Sequence, residues 1–121
     1  MTEDAILVFA ASSVTSIWAL ESLLLLKQAP LRAWEADELV RQLRGSHAAI
    51  SEALTRLRGA GIVTEADGRY RYHPQSAEQD ALVNELEKLY CLKPVTVISA
   101  IANAPNRKLR ILSDAFKIKK D

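Results

Sequence analysis

A mainly α-helical domain with a small β-hairpin is the fold class this sequence predicts, and three observations in residues 34–74 predict it. Two short helical patterns flank a tight turn at Arg44-Gly45-Ser46. Asp67-Gly68 then lies between two stretches of strand character, and a type I′ hairpin turn needs the positive φ that this dipeptide tolerates. After it, Arg69-Tyr70-Arg71-Tyr72 alternates with period two, so arginines occupy one face of that strand and tyrosines the other.

Length and composition fit such a domain. The chain has 121 residues, enough to bury a core without staples, and its 49% hydrophobic and 26% charged residues are a globular balance rather than a disordered one. Cys91 is the single cysteine, which excludes an internal disulfide. It is expected to be a buried small hydrophobe rather than a redox sensor. His47 and His73 are the only histidines, and no Cys/His/Asp spacing adds the ligands a metal needs. A reducing cytoplasm suits this cysteine usage.

Residues 5–26 are long and apolar enough to raise the question of a membrane span. Glu21, four serines and Thr15 dilute them, and Met1-Thr2-Glu3-Asp4 has the wrong charge for a signal peptide. Two pieces are expected instead: a short arm or helix over residues 4–11, then a helix capped by Ser12 or Ser13 and running to Gln28. The apolar residues of that helix (Val14, Ile17, Trp18, Leu20, Leu23, Leu24, Leu25, Leu26) run almost all round it. Such a helix must be covered on all sides. Either a second copy of the chain covers it, giving a homodimer through the first and C-terminal helices, or the chain's own C-terminal helices do.

Pro30 ends this helix, and Trp34 is expected to join the hairpin as a third strand and plug the core. Residues 36–43 follow as a helix with acidic residues in its first turn and Leu39, Val40 and Leu43 on its apolar face. Gly45 suits a left-handed C-cap, and Ser46 an N-cap. In the next helix Ala49, Ile50, Ala53, Leu54 and Leu57 point inward, with His47, Ser51, Glu52, Thr55 and Arg58 outward. It closes at the glycines of Gly59-Ala60-Gly61, and the hairpin follows.

Beyond Pro74, Ser76 and Gln79 are spaced as a capping box. The helix they open carries Leu82, Val83, Leu86, Leu89 and Tyr90 inward and Glu78, Asp80, Glu85 and Glu87 outward. Pro94 starts a further helix over residues 95–103, with Val95, Ile98, Ile101 and Ala102 on one face; strand competes for its β-branched start. Residues 107–118 complete the chain as an amphipathic helix, Leu109, Leu112 and Phe116 inward and Arg107, Lys108, Arg110 and Lys117 outward. Three regions result: an N-terminal arm and core or dimerisation helix (1–30), a helix-turn-helix and hairpin (31–74), and a helical extension with a basic tail (75–121).

Helix, tight turn, helix and a basic-faced hairpin resemble the winged helix-turn-helix of bacterial transcriptional regulators. Leu57-x-x-x-Gly61-Ile62-Val63, followed by Asp67-Gly68 and a tyrosine-rich strand, resembles the MarR and ArsR types in particular. The likeness covers residues 34–74 and extends back over residues 13–28. It implies a recognition helix (46–58) in the major groove of double-stranded DNA, where exposed side chains reach base edges. Ser46, His47, Ser51 and Thr55 would be the readers, with Arg44, Arg56 and Arg58 on phosphates. Arg69 and Arg71 of the wing (64–72) would enter the minor groove or clamp phosphates. The basic tail would extend that footprint or dock an acidic partner protein. Glu52 and Ala48 on the reading face favour an alternative, a winged-helix adaptor that binds a protein and does not grip DNA specifically. No nucleophile–base pair, phosphate-cradling loop or paired-carboxylate site is visible, so neither enzyme activity nor a cofactor is expected.

Overall fold

The computed structural model describes residues 1–103; the expected helix at 107–118, with its DNA or acidic-partner role, lies outside the described residues. Six α-helices and a three-stranded antiparallel sheet make up the described chain: α1 (Glu3–Phe9), α2 (Ile17–Gln28), β1 (Trp34–Glu35), α3 (Ala36–Leu43), α4 (His47–Gly59), β2 (Val63–Ala66), β3 (Arg69–Tyr72), α5 (Ala77–Leu92) and α6 (Pro94–Ala102). The sheet order is β1-β3-β2, with Trp34 opposite Tyr70 and Val63 opposite Tyr72.

α2 begins later than its apolar pattern suggests. The Ser12 hydroxyl donates to the Val8 carbonyl (2.7 Å) inside the preceding helical run, so it caps nothing. That run passes from α1 into a π-helical segment, Ala10–Val14, and stops at Thr15, a β-branched residue held at φ 75°. Ser16 is the N-cap, its hydroxyl accepting from the Ala19 N–H (3.0 Å). The two helical stretches meet at 99°, and among the described residues no single helix is long and apolar enough to cross a membrane.

The core is built around α2. Ala19, Leu20, Ser22, Leu23 and Leu26 are buried, while Ile17, Leu24 and Leu25 are half-buried. Cover comes from α4, α3, β3, α6 and the π-helical segment of the same chain. Trp18, 38% exposed, lies under the α3–α4 turn. There the left-handed residue is Arg44 (φ 56°), not Gly45. Glycine at 45 is a matter of room: a Cβ would stand 2.9 Å from Trp18 Cζ3. By contrast, Gly61 (φ 78°) closes α4 as a Schellman motif. Its N–H bonds the Arg58 carbonyl (3.0 Å) and the Ile62 N–H bonds that of Leu57 (3.1 Å). Asp67 and Gly68 both have positive φ, as a type I′ turn demands.

Trp34 pairs with β3 and is buried, with the Arg32 guanidinium stacked 3.5 Å from its ring centroid. The Glu35 N–H donates to the Glu38 carboxylate (3.0 Å), which also binds Arg32. These bonds, the backbone one first, hold the Glu38 pKa below the ordinary glutamate range. The contact is therefore complete above that range and lost as pH falls.

Four expectations for the C-terminal half are corrected. Ser76 does accept from the Gln79 N–H (3.1 Å), but Gln79 takes the Gln75 N–H (2.7 Å) and donates to the Ala60 carbonyl (2.9 Å). The reciprocal half of the capping box is thus exchanged for a tie to the end of α4. The acidic face of α5 is only partly outward: Asp80 accepts from the Tyr72 hydroxyl (2.6 Å) and Glu87 pairs with Lys27 (2.8 Å). α6, a helix as expected and with Pro94 in its first turn, buries Val97, Ala100 and Ile101 against α1, α2 and the π-helical segment. Val95 (74% exposed), Ile98 and Ala102 face outward, because both sides of this helix are apolar and packing chose the other one. Cys91, expected to be buried, is exposed, rotated off the buried Val83–Leu86 stripe of α5.

Burial, and then the bond to Asp80, raises the Tyr72 phenol far above the ordinary tyrosine range. A raised pKa contributes stability below the unfolded value near 10, and that contribution is lost as pH climbs through the folded value. Tyr72→Phe is expected to cost about 1.5 kcal/mol near neutrality, a hydrogen bond to a charged acceptor. Denaturant midpoints should also fall less on alkaline titration than in the wild type. Tyr90, raised by its bond to Glu21, keeps a residual alkaline slope in the variant.

Candidate nucleic-acid interface

The inward stripe of α4 (Ile50, Ala53, Leu54, Leu57) seats it on the core, which aims the opposite stripe of Ala48, Glu52, Thr55 and Gly59 at solvent. The expected readers lie on or beside this stripe, and several are already engaged. Ser46 Oγ accepts from the Ala49 N–H (3.1 Å), so only its proton is free to donate. His47 Nε2 lies 3.0 Å from Asp37 Oδ1 on α3, and its Nδ1 lies 3.3 Å from Ser51 Oγ. A carboxylate only accepts, so Nε2 is the donor to Asp37. Ser51 is half-buried, and the Thr55 hydroxyl donates back to the Ser51 carbonyl (3.0 Å).

The cations divide into two groups. Arg56 pairs with Glu52 (3.7 Å), Arg58 with Glu65 on β2 (3.5 Å), and Arg69 with Glu35 on β1 (3.6 Å). Arg44, at the left-handed turn, and Arg71, opposite Thr64 on the outer face of the sheet, are exposed and form no ion pair among the described residues. Arg69 and Arg71 line a shallow groove on that outer face with Leu31, Ala33, Glu35 and Thr64. Ion pairs this exposed are worth about 0–1 kcal/mol each, so a phosphate can displace the carboxylates at small cost. The arrangement can therefore bind an anionic backbone, although its resting charge is balanced.

The α4 and hairpin residues singled out from sequence are all on the surface, with Ser51 the least accessible. Sequence reasoning missed the partners Asp37, Glu35 and Glu65, because each pairing joins different elements. The Glu52–Arg56 pair was legible in its i,i+4 spacing. Among the described residues no group of three or more His, Cys, Asp or Glu could hold a metal ion. No protein-family model matches the chain, and no curated protein or solved structure matches it.

Proposed function

We propose that this chain is a winged helix-turn-helix transcriptional regulator that binds double-stranded DNA, similar to the MarR and ArsR types of bacterial regulator. Support comes from the order α2-β1-α3-α4-β2-β3 with β1 joined to β3, the arrangement of a helix-turn-helix followed by a wing. The observation that carries the reading is the open outward face of α4: α5 and α6 pack on α1 and leave that face accessible. In this reading α4 enters the major groove, while Arg44, Arg56, Arg58, Arg69 and Arg71 contact phosphates or the minor groove. The role is one of binding, not catalysis.

The proposed assembly is a homodimer whose readers meet half-sites about one helical turn apart. Because the chain itself covers much of α2, the proposed contact moves to α1 and α6, where Val8, Val95 and Ile98 are exposed.

Anisotropy titrations of labelled duplexes test the proposal, comparing DNA from upstream of the protein's own gene with a scrambled sequence across a salt series. Five arginine–phosphate contacts per subunit predict a log–log salt slope of about −4 to −5 per subunit. The Arg69→Ala/Arg71→Ala variant should lose about tenfold in affinity at moderate salt and about two units of slope. Equal binding of both duplexes, unchanged in the variant, would sink the proposal.

The balanced charge of the face favours a second reading, an adaptor that docks a protein through the same surface. It expects no DNA preference and a partner whose binding withstands added salt.

A further inference from the structure

Glu52 occupies the middle turn of the outward stripe of α4, between Ala48 and Thr55, with 71% of its side chain exposed. Its flanking neighbours His47 and Ser51 are held to each other and to Asp37. Among the ion-paired side chains of α4, Glu52 is the most exposed, ahead of His47, Arg56 and Arg58. Its Oε1 lies 3.7 Å from Arg56 Nη2, an ion pair longer than a hydrogen bond, which leaves the carboxylate able to accept. The adjacent guanidinium offsets the carboxylate's charge, so this turn of the helix can approach a polyanion without net repulsion.

A carboxylate only accepts hydrogen bonds, which restricts what it can meet in a major groove. Guanine presents two acceptors there and thymine an acceptor and a methyl group, all unfavourable. Adenine places its amino donor beside the N7 acceptor, which a second carboxylate oxygen would face. Cytosine presents its N4 amino group alone. We propose that Glu52 is a specificity-determining residue that reads a cytosine in the major groove of each half-site. This inference rests on the DNA-binding reading above and adds to it the base that α4 selects.

The experiment is selection of bound duplexes from a randomised pool by wild type, Glu52→Gln and Glu52→Ala. Glu52 is exposed, so neither substitution removes a packing contact the fold depends on. Wild type should enrich cytosine at one position per half-site by on the order of tenfold over the other bases. Glu52→Gln should move that preference to adenine, whose N6 donor and N7 acceptor match an amide. Glu52→Ala should lose the preference while binding arbitrary duplex more tightly, because the negative charge is gone. Enrichment of a motif without that cytosine, or one that both variants retain, overturns the inference and leaves DNA binding standing. No enriched sequence with wild type overturns the DNA-binding reading, and this inference with it.

Discussion

Leu54→Ala will lower the unfolding free energy by about 2–5 kcal/mol, the range for removing a fully buried leucine and leaving the cavity behind. Leu54 has no exposed surface and lies between Ile50 and Leu57 on the stripe that seats α4 on the core. Domains of this kind hold only about 5–15 kcal/mol in total, so this one methyl-bearing branch accounts for a large share of the margin. Denaturant unfolding should show the lower midpoint with little change in slope, as expected when stability alone has moved. Glu52→Ala, on the opposite side of the same helix, is the control and should change stability by less than about 0.5 kcal/mol. If Leu54→Ala cost no more than that control, α4 would not be seated through Ile50, Leu54 and Leu57, and Glu52 would not lie on its outward face.

Gly45→Val should cost about 3 kcal/mol, near the upper end for forcing atoms into a packed site. A Cβ at this position would lie 2.9 Å from Trp18 Cζ3 and 3.2 Å from Ile50 Cδ1. Trp18 is partly exposed and can swing aside, whereas Ile50 is fully buried and cannot. Part of the lost stability should therefore return in Gly45→Val/Trp18→Ala, giving a non-additive double-mutant cycle. Simple addition of the two single effects would mean that the turn does not rest on Trp18. The measurement also bears on the proposed DNA binding, because this contact lies where α4 begins against α2.

What could be read from the sequence was what depends on near neighbours. The Ser46 cap, the α3 and α4 patterns, the Asp67-Gly68 turn and the tyrosine–arginine alternation each act over a few residues, and each is found as expected. Trp34 as a third strand was also legible, since a lone aromatic before a helix-turn-helix needs an apolar place to go. Where two local solutions were nearly equal, the sequence could not choose. Ser12 and Ser13 were the expected caps, and the left-handed turn at Thr15 moves the cap to Ser16. α6 is apolar on both sides, so its periodicity could not reveal which side packs. Gly45 looked like a conformational glycine, and its steric role depends on Trp18, far away in the chain. The candidate interface followed the same rule: its arginines were visible in the sequence, and the carboxylates that hold them, except Glu52, came from other elements.

The docking of α1 beside α5 and α6, with Lys93 Nζ 3.1 Å from Glu3 Oε1 across ninety positions of chain, governs the order of events during synthesis. Ile6, Leu7 and Phe9 leave the ribosome some seventy or more positions ahead of α5 and α6, which help to shelter them. The middle of the molecule can close on itself in the meantime, because its contacts, such as Trp34 with Tyr70, span shorter stretches than that between Glu3 and Lys93. A nascent chain that has emerged only as far as residue 76 would therefore hold out a nearly finished α2-to-β3 unit with an apolar, unclaimed α1, the kind of intermediate that chaperones recognise.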